Sequence, residues 1–70
     1  MIPLTMANPG ERAVIRKITG KDEVRQHLAE LGFILGSQVT VISQVSGNLI
    51  VQIKDSRVAL DQSMAMRIMI

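Results

Sequence analysis

The sequence predicts a mainly β protein: a small barrel of about five short strands with one short α-helix. Three observations lead to this fold class. Five glycines divide the 70 residues into short pieces, two runs of alternating apolar and polar residues flank a glycine-containing turn, and a single segment has helical periodicity. One domain over residues 1–70 is expected, because a chain of this length supports a single small core.

Composition excludes several protein classes. Val, Ile, Leu and Met make up 27 of the 70 residues, which argues against disorder. The absence of cysteine excludes disulfides, thiolate metal sites and a cysteine nucleophile. The longest apolar run is three residues, as in Leu49–Val51, whereas a spanning helix needs about 20. Met1–Leu4 has neither the basic nor the apolar region of a signal peptide, so a cytoplasmic location is expected.

The first predicted elements are a helical turn and a strand. Thr5–Asn8 is expected to form a short helical turn, which a tight turn at Pro9–Gly10 closes. Arg12–Ile18 is rich in β-branched residues and is flanked by glycines, so it is predicted as one strand. Its neighbours Val14 and Ile15 must then face opposite sides.

The single helix is predicted to begin with Asp22 as its N-cap and to run for about ten residues. Val24, Leu28 and Leu31 recur at helical spacing and form one narrow apolar stripe. No other long apolar stripe exists in the chain, so this one is expected to face the barrel.

The end of the helix leads into a short apolar loop. Gly32 stands where a helix favours a left-handed residue, and Phe33 follows where it can pack back against the helix. Ile34 and Leu35, between Gly32 and Gly36, then have no core position. Because two adjacent aliphatic residues on a loop cannot both point inward, at least one is expected to be exposed and to anchor a partner protein.

The second half of the chain has a period of two. The first strand is expected to keep Val39, Val41 and Val45 on one face, and Leu49–Lys54 is expected to pair with it across a turn at Ser46–Asn48. The remaining predicted elements are a turn at Asp55–Ser56, a strand at Arg57–Leu60, a helical turn starting at Asp61–Ser63 and a last strand at Met66–Ile70.

Metal binding has weak candidates. Glu23, His27 and Glu30 share one flank of the predicted helix, an arrangement that can hold a metal. A solvated charged face explains the same spacing, and the sequence favours that interpretation. The methionines near the C-terminus suit a soft metal, but filling a core or an interface is their more usual role. No metal site and no cofactor are therefore predicted.

Enzymatic and nucleic-acid-binding functions have little support. No second histidine is available for a catalytic triad, and Gly32–Gly36 is not followed by the Gly-Lys-Ser/Thr of a phosphate-binding loop. Eight basic residues are interleaved with six acidic ones, and one aromatic residue provides almost no surface for base stacking. Apolar residues on both faces of several strands favour an interaction module that does no chemistry, and they are compatible with a homo-oligomer.

Five segments resemble the FeoA family, and together they extend over essentially the whole chain. They are Pro9–Glu11, Ile18–Gly20, Leu28–Ile34, Gly36–Val41 and Ala65–Ile68. The segment after the helix, with the pattern Leu-x-x-Leu-Gly-aromatic-x-x-Gly, is the most specific of these. Its structural motif residues, together with the glycine of the first turn, are Gly10, Leu28, Gly32, Phe33 and Gly36. One departure is Leu35, where the family usually has proline.

This resemblance implies an SH3-like β-barrel with an accessory role in bacterial ferrous-iron uptake. The implied partner is the cytoplasmic GTP-binding part of a FeoB-type permease, through which the protein would be peripheral to the membrane. Leu31, Ile34 and Leu35 are the residues expected to contact it. The same fold occurs as the C-terminal domain of iron-dependent repressors of the DtxR type, so a metal-sensing or metal-binding module is the alternative.

Overall fold

The computed structural model describes residues 1–70 as six strands, two α-helices and one 3₁₀ helix at Leu4–Met6. The strands are β1 (Arg12–Val14), β2 (Lys17–Ile18), β3 (Gln38–Val45), β4 (Asn48–Ile53), β5 (Ser56–Leu60) and β6 (Ile68–Met69). The helices are α1 (Asp22–Glu30) and α2 (Gln62–Ala65). The predicted mainly β class is confirmed, with six short strands in place of about five.

The strands form two sheets. One is a four-stranded antiparallel sheet in the order β1-β3-β4-β5, and the other pairs β2 with β6. Pro3 bridges Met69, and Ile2 and Ile70 exchange two backbone hydrogen bonds of 3.0 and 2.8 Å. Both ends of the chain therefore extend the smaller sheet.

The core contains 13 buried residues, all of them hydrophobic, and Phe33 is the largest. Strand β4 contributes Leu49, Val51 and Ile53, which alternate with more exposed residues as the period of two predicts. No buried side-chain nitrogen or oxygen lacks a hydrogen-bond partner. None of the helices is both long and apolar enough to cross a membrane.

The predicted single strand at Arg12–Ile18 is wrong, because the chain changes sheets in its middle. β1 pairs with β3, whereas β2 pairs with β6. Between them Ile15 is 1% exposed, and its backbone bonds to the loop before β3: its N–H donates to Ser37 O (2.9 Å) and its carbonyl accepts from Gly36 N–H (2.9 Å). Val14 and Ile15 do face opposite sides, since Val14 is exposed.

The predicted face of β3 changes at a β-bulge. The register with β4 shifts between Val41 and Ser43, so Ile42 is an extra residue. One extra residue reverses the alternation beyond it. Val39 and Val41 are buried as expected, whereas Val45 is 68% exposed.

Other boundaries differ by a residue or two. Helix α1 begins at Asp22, but its N-cap is Lys21, without a side-chain capping bond. The early helical turn lies at Leu4–Met6, one residue before the predicted segment, and the last strand is shorter than predicted. The β4–β5 turn is Lys54–Asp55, because Ile53 pairs with Ser56.

Candidate functional site

The C-terminal end of α1 positions the loop that the sequence singles out. Gly32 has φ +105°, as the predicted left-handed stop requires. Its N–H donates to Ala29 O at 3.0 Å, and the N–H of Phe33 donates to Leu28 O at 2.9 Å. These two bonds are those of a Schellman motif. The motif turns the chain so that Phe33 enters the core with 0% exposure, beside the buried Leu28.

The next four residues form a tight turn that displays Leu35. Ser37 N–H donates to Ile34 O at 3.1 Å, and Gly36 at the third position has φ +88° while Leu35 does not have a positive φ. This combination is that of a type II turn, which requires glycine third and favours proline second. The preference explains why the FeoA family usually has proline at the position of Leu35. Here the position exposes 65% of a leucine side chain.

An open groove lies between this turn, helix α1 and strand β2; we call it the helix-exit groove. Phe33 lies at its base, and Ile34 is 44% exposed along its side. The other lining residues are Lys17 and Ile18 from β2, Asp22, Arg25, Gln26 and Ala29 from α1, and Leu35 from the turn. The groove is thus apolar at the turn and charged beside β2 and the first turns of α1.

The charged side of the groove is dominated by cations. Arg25 Nη1 lies 3.7 Å from Asp22 Oδ1, but both side chains are more than half exposed, so water screens this pair. Lys17 has no carboxylate partner within ion-pair distance. An apolar side chain flanked by an acidic group therefore suits this groove better than a wholly apolar segment does.

The structure places the three predicted partner-contact residues differently. Ile34 and Leu35 line the helix-exit groove and are both exposed, so the expectation that at least one would be exposed is confirmed. Leu31 is the C-cap of α1 and does not line the groove. The prediction that Val24, Leu28 and Leu31 all face the barrel is wrong for Leu31, which is 37% exposed because the chain already leaves the helix there.

The remaining motif glycine and the metal candidates lie outside the groove. Gly10 has φ +87° and donates its N–H to Val41 O at 2.7 Å, which ties the first turn to β3. Glu23, His27 and Glu30 are exposed on α1, and no three acidic or histidine side chains converge as metal ligands. Positions 23 and 30 are about 10 Å apart along the helix axis, which is too far for one ion.

Sequence reasoning missed six of the nine residues that line the groove. Lys17 and Ile18 come from β2, which the sequence did not separate from β1, and Ala29 and Arg25 come from the side of α1 away from its apolar stripe. The small side chain of Ala29, one position after the buried Leu28, is the signal that could have indicated an open helix face. Strand β2 lines the groove because the chain passes from the larger sheet to the smaller one between β1 and β2, and the residue pattern of Arg12–Ile18 does not reveal that change.

Comparisons with known proteins agree with this fold. The model of the FeoA domain family matches residues 2–70. One relative is a Methanocaldococcus jannaschii protein that is named as an Fe(2+) transport protein A. It is 34% identical over 70 residues, and the match covers 100% of this chain and 85% of the relative.

Solved structures are similar over nearly the whole chain. The zinc complex of Stenotrophomonas maltophilia FeoA, described as a procaryotic SH3 domain protein, has a TM-score of 0.85 and 27% identity, covering 99% of this chain and 88% of its own. A manganese-dependent transcriptional repressor has a TM-score of 0.87 at 22% identity, covering 94% of this chain and 38% of its own, and shows the fold alone. The SH3-like barrel is confirmed. With the family model matched over residues 2–70, the chain belongs to the FeoA domain family, a family of Fe(2+) transport accessory proteins.

Proposed function

We propose that this chain, as one domain over residues 1–70, is a non-enzymatic accessory protein of ferrous-iron uptake. It acts in the cytoplasm by binding the GTP-binding part of a FeoB-type permease through the helix-exit groove. Membership of the FeoA family and the relative named for Fe(2+) transport support the transport role. The proposal includes no hydrolase or GTPase activity, because the chain has no phosphate-binding loop and a single exposed histidine.

The observation that carries the proposal is the presentation of Leu35. Leu35 is 65% exposed, yet two backbone hydrogen bonds hold its turn in place. Ser37 N–H donates to Ile34 O and closes the turn, and Gly36 N–H donates to Ile15 O. An exposed aliphatic side chain on a fixed backbone loses less conformational freedom when a partner covers it than one on a mobile loop does. Ile34 adds a second apolar contact in the groove, and Leu31 adds a third at the end of α1.

The groove also constrains the partner segment. Because Lys17 and Arg25 lie beside the apolar end, a segment with an aliphatic residue next to an acidic one complements both parts. Burial of the aliphatic part supplies the affinity, and the charges orient the segment.

The test is a pull-down from membranes that contain the permease, with the tagged chain as bait. Leu35→Asp and Ile34→Asp place a charge in the groove and are expected to abolish retention of the permease. Met6→Asp is the matched control, since Met6 is also 65% exposed but lies on the 3₁₀ helix and does not line the groove. It should retain the permease as the wild type does.

Circular dichroism and melting curves must show that all three variants fold like the wild type. Retention of the permease by both Leu35→Asp and Ile34→Asp would refute the groove as the binding site. Loss of retention in Met6→Asp as well would also contradict it, because the effect would then follow any added surface charge.

A further inference from the structure

The outer face of the larger sheet carries a second concentration of polar and charged residues. Arg12 pairs with Thr40, Thr40 with Gln52, and Gln52 with Arg57, so these four residues form one row across β1, β3, β4 and β5. Residues directly opposite each other in a sheet share a face. Their neighbours Val39, Val41, Val51 and Ile53 are buried, so the row points away from the core.

A shallow groove runs beside this row and contains no apolar and no acidic residue. It is lined by Arg12, Ser37, Gln38, Thr40, Gln52 and Lys54. We call Arg12, Thr40, Gln52, Lys54 and Arg57 the basic face. It shares no residue with the helix-exit groove.

The three cations of the basic face have no internal counter-charge. The one ion pair in the structure joins Arg25 and Asp22 on α1. Of the acidic residues next to the face in sequence, Glu11 accepts the N–H of Asn8 at 3.3 Å, and Asp55 lies in the turn after Lys54 without an ion-pair partner.

Gln52 holds the centre of the basic face in place. Its Oε1 accepts from Arg57 Nε at 3.3 Å, and its Nε2 donates to the carbonyl of Lys54 at 3.0 Å. Arg57 therefore keeps its two terminal nitrogens free to donate outward.

Lys54 is held in an unusual backbone conformation at the edge of this face. Its φ is +52°, in the left-handed region that glycine and asparagine occupy more easily than lysine. Lys54 is the first residue of the two-residue β4–β5 turn, and the favoured turns of this length need a positive φ there. The turn places an exposed cation next to Gln52 and Thr40 in the same groove.

We propose that the basic face binds an extended, acidic segment of a partner protein. The strand spacing of about 4.8 Å places Arg12 and Arg57 about 14 Å apart, three strand intervals across the sheet. Residues i and i+4 on one side of an extended segment are about 13 Å apart. Acidic residues at i and i+4 therefore reach both arginines, and one at i+2 faces Thr40 and Gln52.

Nucleic acid is a poorer match for the same charges. Phe33 is the one Phe, Tyr or Trp of the chain, and it is fully buried, so the basic face offers no aromatic ring on which a base can stack. A protein segment needs only the carboxylates and backbone groups that the arginines, Thr40 and Gln52 can bind.

The test is an NMR titration of the isotope-labelled chain at low ionic strength, with a capped peptide in which three glutamates alternate with threonines. Amide shifts are expected to concentrate on β1, β3, β4 and β5 around the basic face. Arg12→Gln combined with Arg57→Gln is expected to weaken binding about tenfold, because the double variant removes two exposed charge pairs with the peptide. A tenfold change corresponds to about 1.4 kcal/mol. The matched control is Arg67→Gln, which removes an exposed cation between α2 and β6 and should bind as the wild type does.

Lys54→Gly is a second variant, for which weaker binding cannot be attributed to a destabilised fold. Glycine relieves the left-handed backbone while it removes the charge, so the variant should melt no lower than the wild type and still bind the peptide less tightly. The peptide with glutamine in place of glutamate should produce no shifts.

Equal binding by the double arginine variant would overturn the proposal, as would shifts spread equally over Lys17, Lys21 and Arg67. A thymidine oligonucleotide that bound more tightly than the acidic peptide, and lost its binding in the same variants, would assign the face to nucleic acid instead and would also overturn it.

Discussion

Replacement of Gly32 by alanine tests how the end of α1 creates the binding loop. At φ +105° a residue with a Cβ is strained, whereas glycine is not. A Cβ built on Gly32 would lie 3.5 Å from Ile53 Cγ1 and 4.0 Å from its Cγ2, which is ordinary van der Waals contact. The cost of Gly32→Ala is therefore almost entirely backbone strain, about 1–2 kcal/mol. Gly32→Val adds the restriction of a β-branched side chain and should cost at least as much.

The assay is urea unfolding followed by circular dichroism. A small domain has a slope of about 1 kcal/mol per molar urea, so Gly32→Ala is expected to lower the midpoint by about 1–2 M. The matched control is chemical synthesis of the chain with D-alanine at position 32, because a D-residue favours positive φ while it also adds one methyl group, in place of the other Cα hydrogen. It should unfold at or above the wild-type midpoint. An unchanged midpoint for the L-alanine variant would refute the Schellman assignment. Equal losses for both variants would show that any methyl group on this Cα destabilises the fold, whatever φ it prefers, and would contradict backbone strain as the cause.

Three further predictions concern the rest of the barrel. Ser46→Asn should raise the free energy of unfolding, measured by urea titration, by about 0.5–1 kcal/mol. Ser46 has φ +53° in the two-residue β3–β4 turn, a conformation that asparagine adopts more easily than serine. A decrease in the free energy of unfolding would contradict that turn type. Phe33→Ala should cost about 3–5 kcal/mol, and a cooperative melt close to that of the wild type would contradict its place in the core. The pKa of Asp61 lies below its usual 3.8 because the N–H of Met64 and the hydroxyl of Ser63 donate to its carboxylate. The stabilisation by the charged carboxylate is therefore present above pH 3.8 and is lost as the pH falls through the lower pKa of the folded state. Asp61→Asn should therefore remove part of the acid-side fall in melting temperature, and identical pH profiles would exclude this role.

Features that depend on neighbouring residues were predictable from the sequence. The stop at Gly32, the inward Phe33 and the alternation of β4 follow from local conformation and pattern, and the structure confirms each. The exposure of at least one of Ile34 and Leu35 was predictable for the same reason, since the residues around them have assigned positions; the structure exposes both.

Features that depend on distant pairing were not predictable in this way. The break at Ile15 is stabilised by bonds to Gly36 and Ser37, more than 20 residues later, and the exposure of Val45 results from a bulge that one extra residue creates. The cationic side of the helix-exit groove needs β2 beside α1, which the predicted single strand did not provide.

The central claim is that the helix-exit groove binds the cytoplasmic GTP-binding part of a FeoB-type permease. It is tested most directly by titration of the isotope-labelled chain with that purified part, followed by NMR. Saturable shifts or broadening should concentrate at Ile18, Ala29, Ile34 and Leu35, and the Leu35→Asp chain should show none of them. Saturable shifts confined to β6 or to the basic face, with the groove unchanged, would contradict the account.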